Sequence, residues 1–177
     1  MADGASLPFQ LVLVCLGTPA DPAVPATLMP AVARRLAAAT GLPLRSIPQA
    51  DSPPQAMAEL LAASGPWIAP LPIDPGVALA QGSWAEALGA WRQPTLLVVD
   101  QAQLGTGIPA AATALLERWS VPLLGLLQWG GSWDDAMRRH DRLPWIGKLE
   151  AMEGPEPDAD PADLLMLSWR RWRDRWA

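Results

Sequence analysis

Residues 9–21, FQLVLVCLGTPAD, decide the fold of this chain. Phe9 and the run from Leu11 to Leu16 are continuously apolar and rich in β-formers, the pattern of a strand buried on both faces of a parallel sheet. The run stops at Gly17-Thr18-Pro19-Ala20-Asp21, a turn by composition. A helix pattern follows over 26–40, with Leu28, Val32 and Leu36 at i, i+4 and i+8, and Pro30 in its first turn or so. Gly41 supplies the stop. Strand, glycine-containing turn and helix form the unit with which α/β proteins grip phosphate.

Working outward, residues 44–47 read as a second strand after Leu42-Pro43. Asp51-Ser52-Pro53-Pro54 reads as a cap opening a short helix to about 64. Residues 65–73 are extended and proline-rich, Asp74-Pro75 opens a further short helical stretch, and 84–91 is helical. TLLVVD at 95–100 and VPLLGLLQ at 121–128 are buried strands flanking a helix over 108–119. A short helix over 133–140 and an edge strand over 144–149 complete the pattern. Strands alternating with helices predict an α/β, doubly wound and mostly parallel sheet. The expected organisation is a core domain over 1–149, an acidic proline-rich linker over 150–163, and an amphipathic helix over 164–177.

The 177 residues suit one core. No apolar run reaches transmembrane length and no basic n-region opens the chain, so a cytoplasmic location is expected. A net charge of −5 disfavours nucleic acid as a partner. Cys15 is the single cysteine, so neither a disulfide nor a cysteine-based metal site can form within one chain.

A phosphate loop needs glycine N–H groups, a lysine and a Ser/Thr for Mg²⁺. After Gly17 no register supplies Gly-Lys-Thr, and Pro19, Pro22 and Pro25 remove donors. Lys148, the sole lysine, lies too late in the fold to serve that loop. Asp100 ends its strand where a metal-binding carboxylate can sit, but reads as the cap of the next turn; Asp21, Asp51 and Asp74 adjoin prolines or caps and read as turn residues. Gly105 and Gly107 are expected to serve the turn between strand and helix. His140 lies in Arg138-Arg139-His140-Asp141-Arg142, read as a polar surface run without partners for metal or triad chemistry. At the C-terminus Leu165, Trp169, Trp172 and Trp176 share one helical face flanked by Arg170, Arg171, Arg173 and Arg175. That face either closes the sheet, with the arginines reaching outward, or contacts a protein partner or a membrane surface, of which the partner is the expected one. Membrane contact is not expected.

Five stretches carry a family resemblance in order: VCLGTPADPAVPATLMPAVARRLA (14–37), LPLRSIPQADS (42–52), APLPIDPGVALAQG (69–82), PTLLVVDQAQLGTGIPAAATALLERWSVPLLGLLQW (94–129) and LPWIGKL (143–149). Together they resemble dethiobiotin synthetase, the ATP-dependent enzyme that closes the ureido ring of the biotin precursor with CO2. Related P-loop proteins of the partition and cobyrinate-amidating types share much of the pattern. The resemblance implies a P-loop NTPase-like, Rossmann-like three-layer fold, a homodimer as one arrangement, and a relic nucleotide pocket at Gly17, Thr18, Thr106 and Gln128.

The departures fall on the chemistry. Ala23, Val24 and Pro25 stand where the family has Gly, Lys and Thr, and Ile47 stands where its second active-site lysine precedes the residue matching Pro48. A strand-loop unit carrying the family's Glu-Gly-Ala-Gly-Gly segment is missing between Gly82 and Trp91. The family's adenine-reading Asn falls near Gln128 or Trp129. The expectation is a non-catalytic relative, with no catalytic or metal residues, acting as a binding or scaffold protein. ATP and Mg²⁺ enter only under the alternative of a divergent ATP-dependent dethiobiotin synthetase of biotin biosynthesis. A third reading is a partner- or membrane-surface module that works through the Trp/Arg helix.

Overall fold

The computed structural model describes residues 9–18, 21–48, 52–150 and 160–176. Five parallel strands form one sheet in the order β2-β1-β3-β4-β5: β1 (Gln10–Val14), β2 (Trp67–Pro70), β3 (Thr95–Asp100), β4 (Leu123–Trp129) and β5 (Trp145–Leu149). The architecture is the doubly wound α/β, Rossmann-like sandwich expected. Both faces of β1 are buried, and its side chains alternate between two cores. Val12 and Val14 face one core with α2 (Pro53–Leu61), α3 (Trp84–Ala90) and α4 (Ile108–Arg118). Leu11, Leu13 and Cys15 face the other, with α1 (Val24–Thr40) and α6 (Pro161–Trp176). Helix α5 (Asp135–Asp141) joins β4 to the edge strand β5.

Three local expectations change. The strand expected over 44–47 is a single bridge, Leu44 to Ile68. Ile68 N–H donates to the Pro43 carbonyl and Arg45 N–H to the Ile68 carbonyl, and prolines at 43 and 48 have no N–H to extend the ladder. The stretch opened by Asp74-Pro75 is a turn, not a helix: Gly76 N–H donates to Asp74 Oδ1 at 2.8 Å and Leu79 pairs with Gly82. Glycines at 76 and 82 weaken any helix there. Helix α1 starts at Val24, with Pro25 in its opening turn, so Pro30 sits in the helix interior on its exposed side. Ser52 caps α2 by position; the expected contribution of Asp51 lies outside the described residues.

Helix α6 lies against α1, β4 and β5. Leu165 is buried, and Trp169 stacks on Phe9 with ring centroids 4.7 Å apart and on Trp172 at 5.1 Å. Gly147 of β5 leaves room for Leu164, since a Cβ there would overlap the Leu164 methyl. Arg170, Arg171 and Arg173 are exposed, and Trp169 and Trp172 are half-buried. The side chain of Trp176 lies outside the described residues.

Candidate functional site

In a sheet ordered 2-1-3-4-5 the connections leave in opposite directions from β1 and β3, and the crevice beyond their carboxyl ends is where ligands settle in such folds. Gly17 and Thr18 follow β1 into this crevice, Asp74 follows β2, and Asp100 with Gln103 follows β3. The chain itself fills the crevice. Gly17 N–H donates to Asp74 Oδ2 at 2.9 Å. Thr18 and Asp21 exchange backbone hydrogen bonds, and Asp21 N–H also donates to Thr18 Oγ1. Asp21 Oδ1 accepts from Ala23 N–H at 3.0 Å and its carbonyl accepts from Val24 N–H. Pro22 and Pro25 have no N–H to offer. Every described backbone N–H from residue 17 to residue 25 is thus used inside the protein. The turn is also tight: a Cβ on Gly17 would lie 3.0 Å from both Cα and O of Pro22.

Gln103 closes the other side. It is 2 % exposed; its Nε2 donates to the Leu16 carbonyl at 2.7 Å and its Oε1 accepts from Asp100 N–H at 3.2 Å. Asp100 caps the turn over Gln101–Gln103, as expected, accepting from Ala102 N–H. Thr106 donates its hydroxyl to the Gln103 carbonyl and accepts from Ile108 N–H, so it anchors the entry to α4. Gly105 and Gly107 lie in that turn, but neither holds a left-handed conformation and a Cβ on either meets nothing within 4 Å. Glycine is not required there, which corrects the conformational part of the expectation.

Gln103 thus links the residue before Gly17 to Thr106, whereas no hydrogen bond among the described residues ties Thr18 or Gln128 to it. Gln128 is fully buried in β4, where its Nε2 donates to the Gly130 and Ser132 carbonyls at 2.8 and 3.0 Å. Its Oε1 accepts from Arg138 Nη2 at 3.1 Å. Arg138 is buried rather than on a polar surface run: its guanidinium lies 4.3 Å from the Trp145 ring centroid, 5.8 Å from that of Trp133, and 3.7 Å from Asp141 Oδ2. His140 is exposed. Lys148, on β5, donates to the Gly131 carbonyl and pairs with Glu150 just past the strand's end. Three strand spacings separate β5 from β1, roughly 14 Å. Among the described residues no three His, Cys, Asp or Glu side chains could hold a metal ion, and no helix is long and apolar enough to cross a membrane.

The residues that sequence reading missed are Gln103, Arg138 and the long-range use of Asp74. The Asp-Pro pair marked a turn at 74, but nothing local marks its reach to Gly17.

Cys15 lies at the bottom of the crevice. Burial first, then the negative charges of Asp100 and Asp74, push its thiol from the ordinary 9.0 up to about 12. A folded-state value above the unfolded one leaves stability unchanged below pH 9 and lowers it between pH 9 and 12, where only the unfolded chain gives up the proton. Urea midpoints measured from pH 8 to 11 should therefore fall more steeply for the wild type than for Cys15→Ala. The difference in slope approaches about 1.4 kcal/mol per pH unit. Equal slopes would show that the thiol ionises freely in the fold. At neutral pH the same burial keeps Cys15 from acting as a nucleophile.

A scan against protein-family models finds none that matches, and no curated protein matches the chain.

Proposed function

We propose that this chain is a non-catalytic relative of dethiobiotin synthetase, of P-loop NTPase-like descent, that works in the cytoplasm by binding a partner rather than by turning over ATP. One observation carries the reading: the described N–H groups of the turn between β1 and α1 are already engaged, two of them by the carboxylates of Asp74 and Asp21. Triphosphate binding at this position depends on free backbone donors backed by a lysine and a metal. Here a carboxylate holds the Gly17 donor, Val24 occupies the lysine position, and Lys148 is tied down on the far edge strand. An incoming phosphate would have to displace Asp74 and would meet its negative charge.

The test is calorimetry with millimolar Mg-ATP on the full chain. The expected result is no saturable heat. Binding at micromolar affinity would overturn the reading and return the chain to the ATP-dependent class, where complementation of a biotin auxotroph lacking the ring-closing step becomes the next measurement.

A further inference from the structure

At the opposite, amino-terminal edge of the sheet lies an open groove of about 410 Å³, lined by Phe9, Gln10, Pro66, Gln93, Pro94 and Trp169 among others. That volume falls in the range of small-ligand and peptide sites. We propose that this groove binds an acidic peptide segment of a partner protein; the proposal rests on the reading that the chain works by binding.

Three features point to that occupant. First, one wall is the half-buried ring of Trp169, held in place by stacking on the buried Phe9 and on Trp172, and it shares the groove with two prolines, a surface that takes up apolar side chains at low entropic cost. Second, Gln93 lines the groove while only 2 % exposed. Its Nε2 is fixed by the carbonyls of Gln10 and Pro94 at 2.7 and 3.2 Å. Gln10 Nε2 is likewise fixed by the carbonyls of Ala63 and Gly65. Among the described residues neither side-chain Oε1 accepts a hydrogen bond, so two positioned amide carbonyls remain for a donor such as a peptide N–H. Third, the charge is one-sided. No lining residue is charged, yet Arg170 follows Trp169 directly and Arg173 stands one helical turn beyond it on the same side. Both are exposed. Among the described residues Arg173 has only a solvent-exposed contact with its neighbour Asp174 at 3.8 Å, and Arg170 makes no ion pair. In a chain of net charge −5, these two exposed arginines beside Trp169 on α6 favour a partner that brings carboxylates.

The experiment is fluorescence anisotropy on the full chain with a short fluorescein-labelled peptide of alternating Glu and Pro around a central Leu, and with its Lys-for-Glu counterpart. The acidic peptide should bind saturably, more weakly as salt rises, and the basic one should not bind. The exposed double variant Arg170→Glu/Arg173→Glu should retain the wild-type melting curve and lose affinity about tenfold or more. The side-chain amide resonances of Gln10 and Gln93 should shift with the acidic peptide. Equal binding of both peptides, an unaffected double variant, or unmoved Gln10 and Gln93 amides would each overturn the assignment. So would a dimer in sedimentation that the double variant dissociates, which would give the face to a second copy of the chain. None of these outcomes bears on the Mg-ATP calorimetry, so the two readings fail separately.

Discussion

Replacing Gly89 with alanine is expected to cost about 3–5 kcal/mol and to lower the thermal midpoint by roughly 10 °C or more. Gly89 is a buried residue of α3, and it faces the end of α4 backbone to backbone. A Cβ there would overlap the Trp119 carbonyl oxygen and lie 2.9 Å from its carbonyl carbon. A main-chain carbonyl cannot rotate aside as a side chain can, so α3 or the α4–β4 turn must move. Both pack on the same core as Leu88, Leu116 and Val121, and movement there opens gaps in a dense interior. Gly105→Ala is the control: its site is exposed and open, and the change should be neutral or stabilising by about 0.4–1 kcal/mol through the unfolded chain. Thermal melts of the two variants followed by circular dichroism check the contrast. Similar melts for both would refute the backbone contact.

Gln128→Leu should cost about 3–5 kcal/mol in urea denaturation. The leucine fills the space but makes none of the three hydrogen bonds, so two carbonyls lose their donor and Arg138 loses its acceptor. Arg138 is poorly provided for already, since its Nε is buried without a partner among the described residues. Its charge is held by the faces of Trp145 and Trp133 and by Asp141 at 3.7 Å. Removing the guanidinium as well, in Gln128→Leu/Arg138→Leu, should cost less than the sum of the single changes by about 1 kcal/mol or more. Additive losses would mean that the two side chains do not act as a unit.

The elements that could be read were those whose burial is written in contiguous residues. LVLV in β1, LLVV in β3 and LLGLL in β4 carry no polar side chain because helices cover both faces, and Gly41 and Asp100 mark ends through local geometry alone. The edge at 43–45 failed this test: Leu44 is exposed, and flanking prolines limit its pairing to one bridge. Around the crevice the decisive contacts span 57 residues from Gly17 to Asp74 and 87 from Leu16 to Gln103, distances at which no pattern in a single sequence speaks. Arg138 was hidden for a different reason. A run of five polar residues looks solvated, and only the placement of Trp133 and Trp145 around one of them shows that it is not.

The carboxylate of Asp74 on the Gly17 N–H also sets how hard this turn would be to open to an anion. A lysine placed at position 24 would add a cation beside a turn whose described donors are already committed. Freeing the Gly17 donor needs a change at 74, and that change by itself removes a bond that ties the turn to the residues after β2. The turn is held in its present state by its own hydrogen bonds, so opening it costs stability before any ligand is gained.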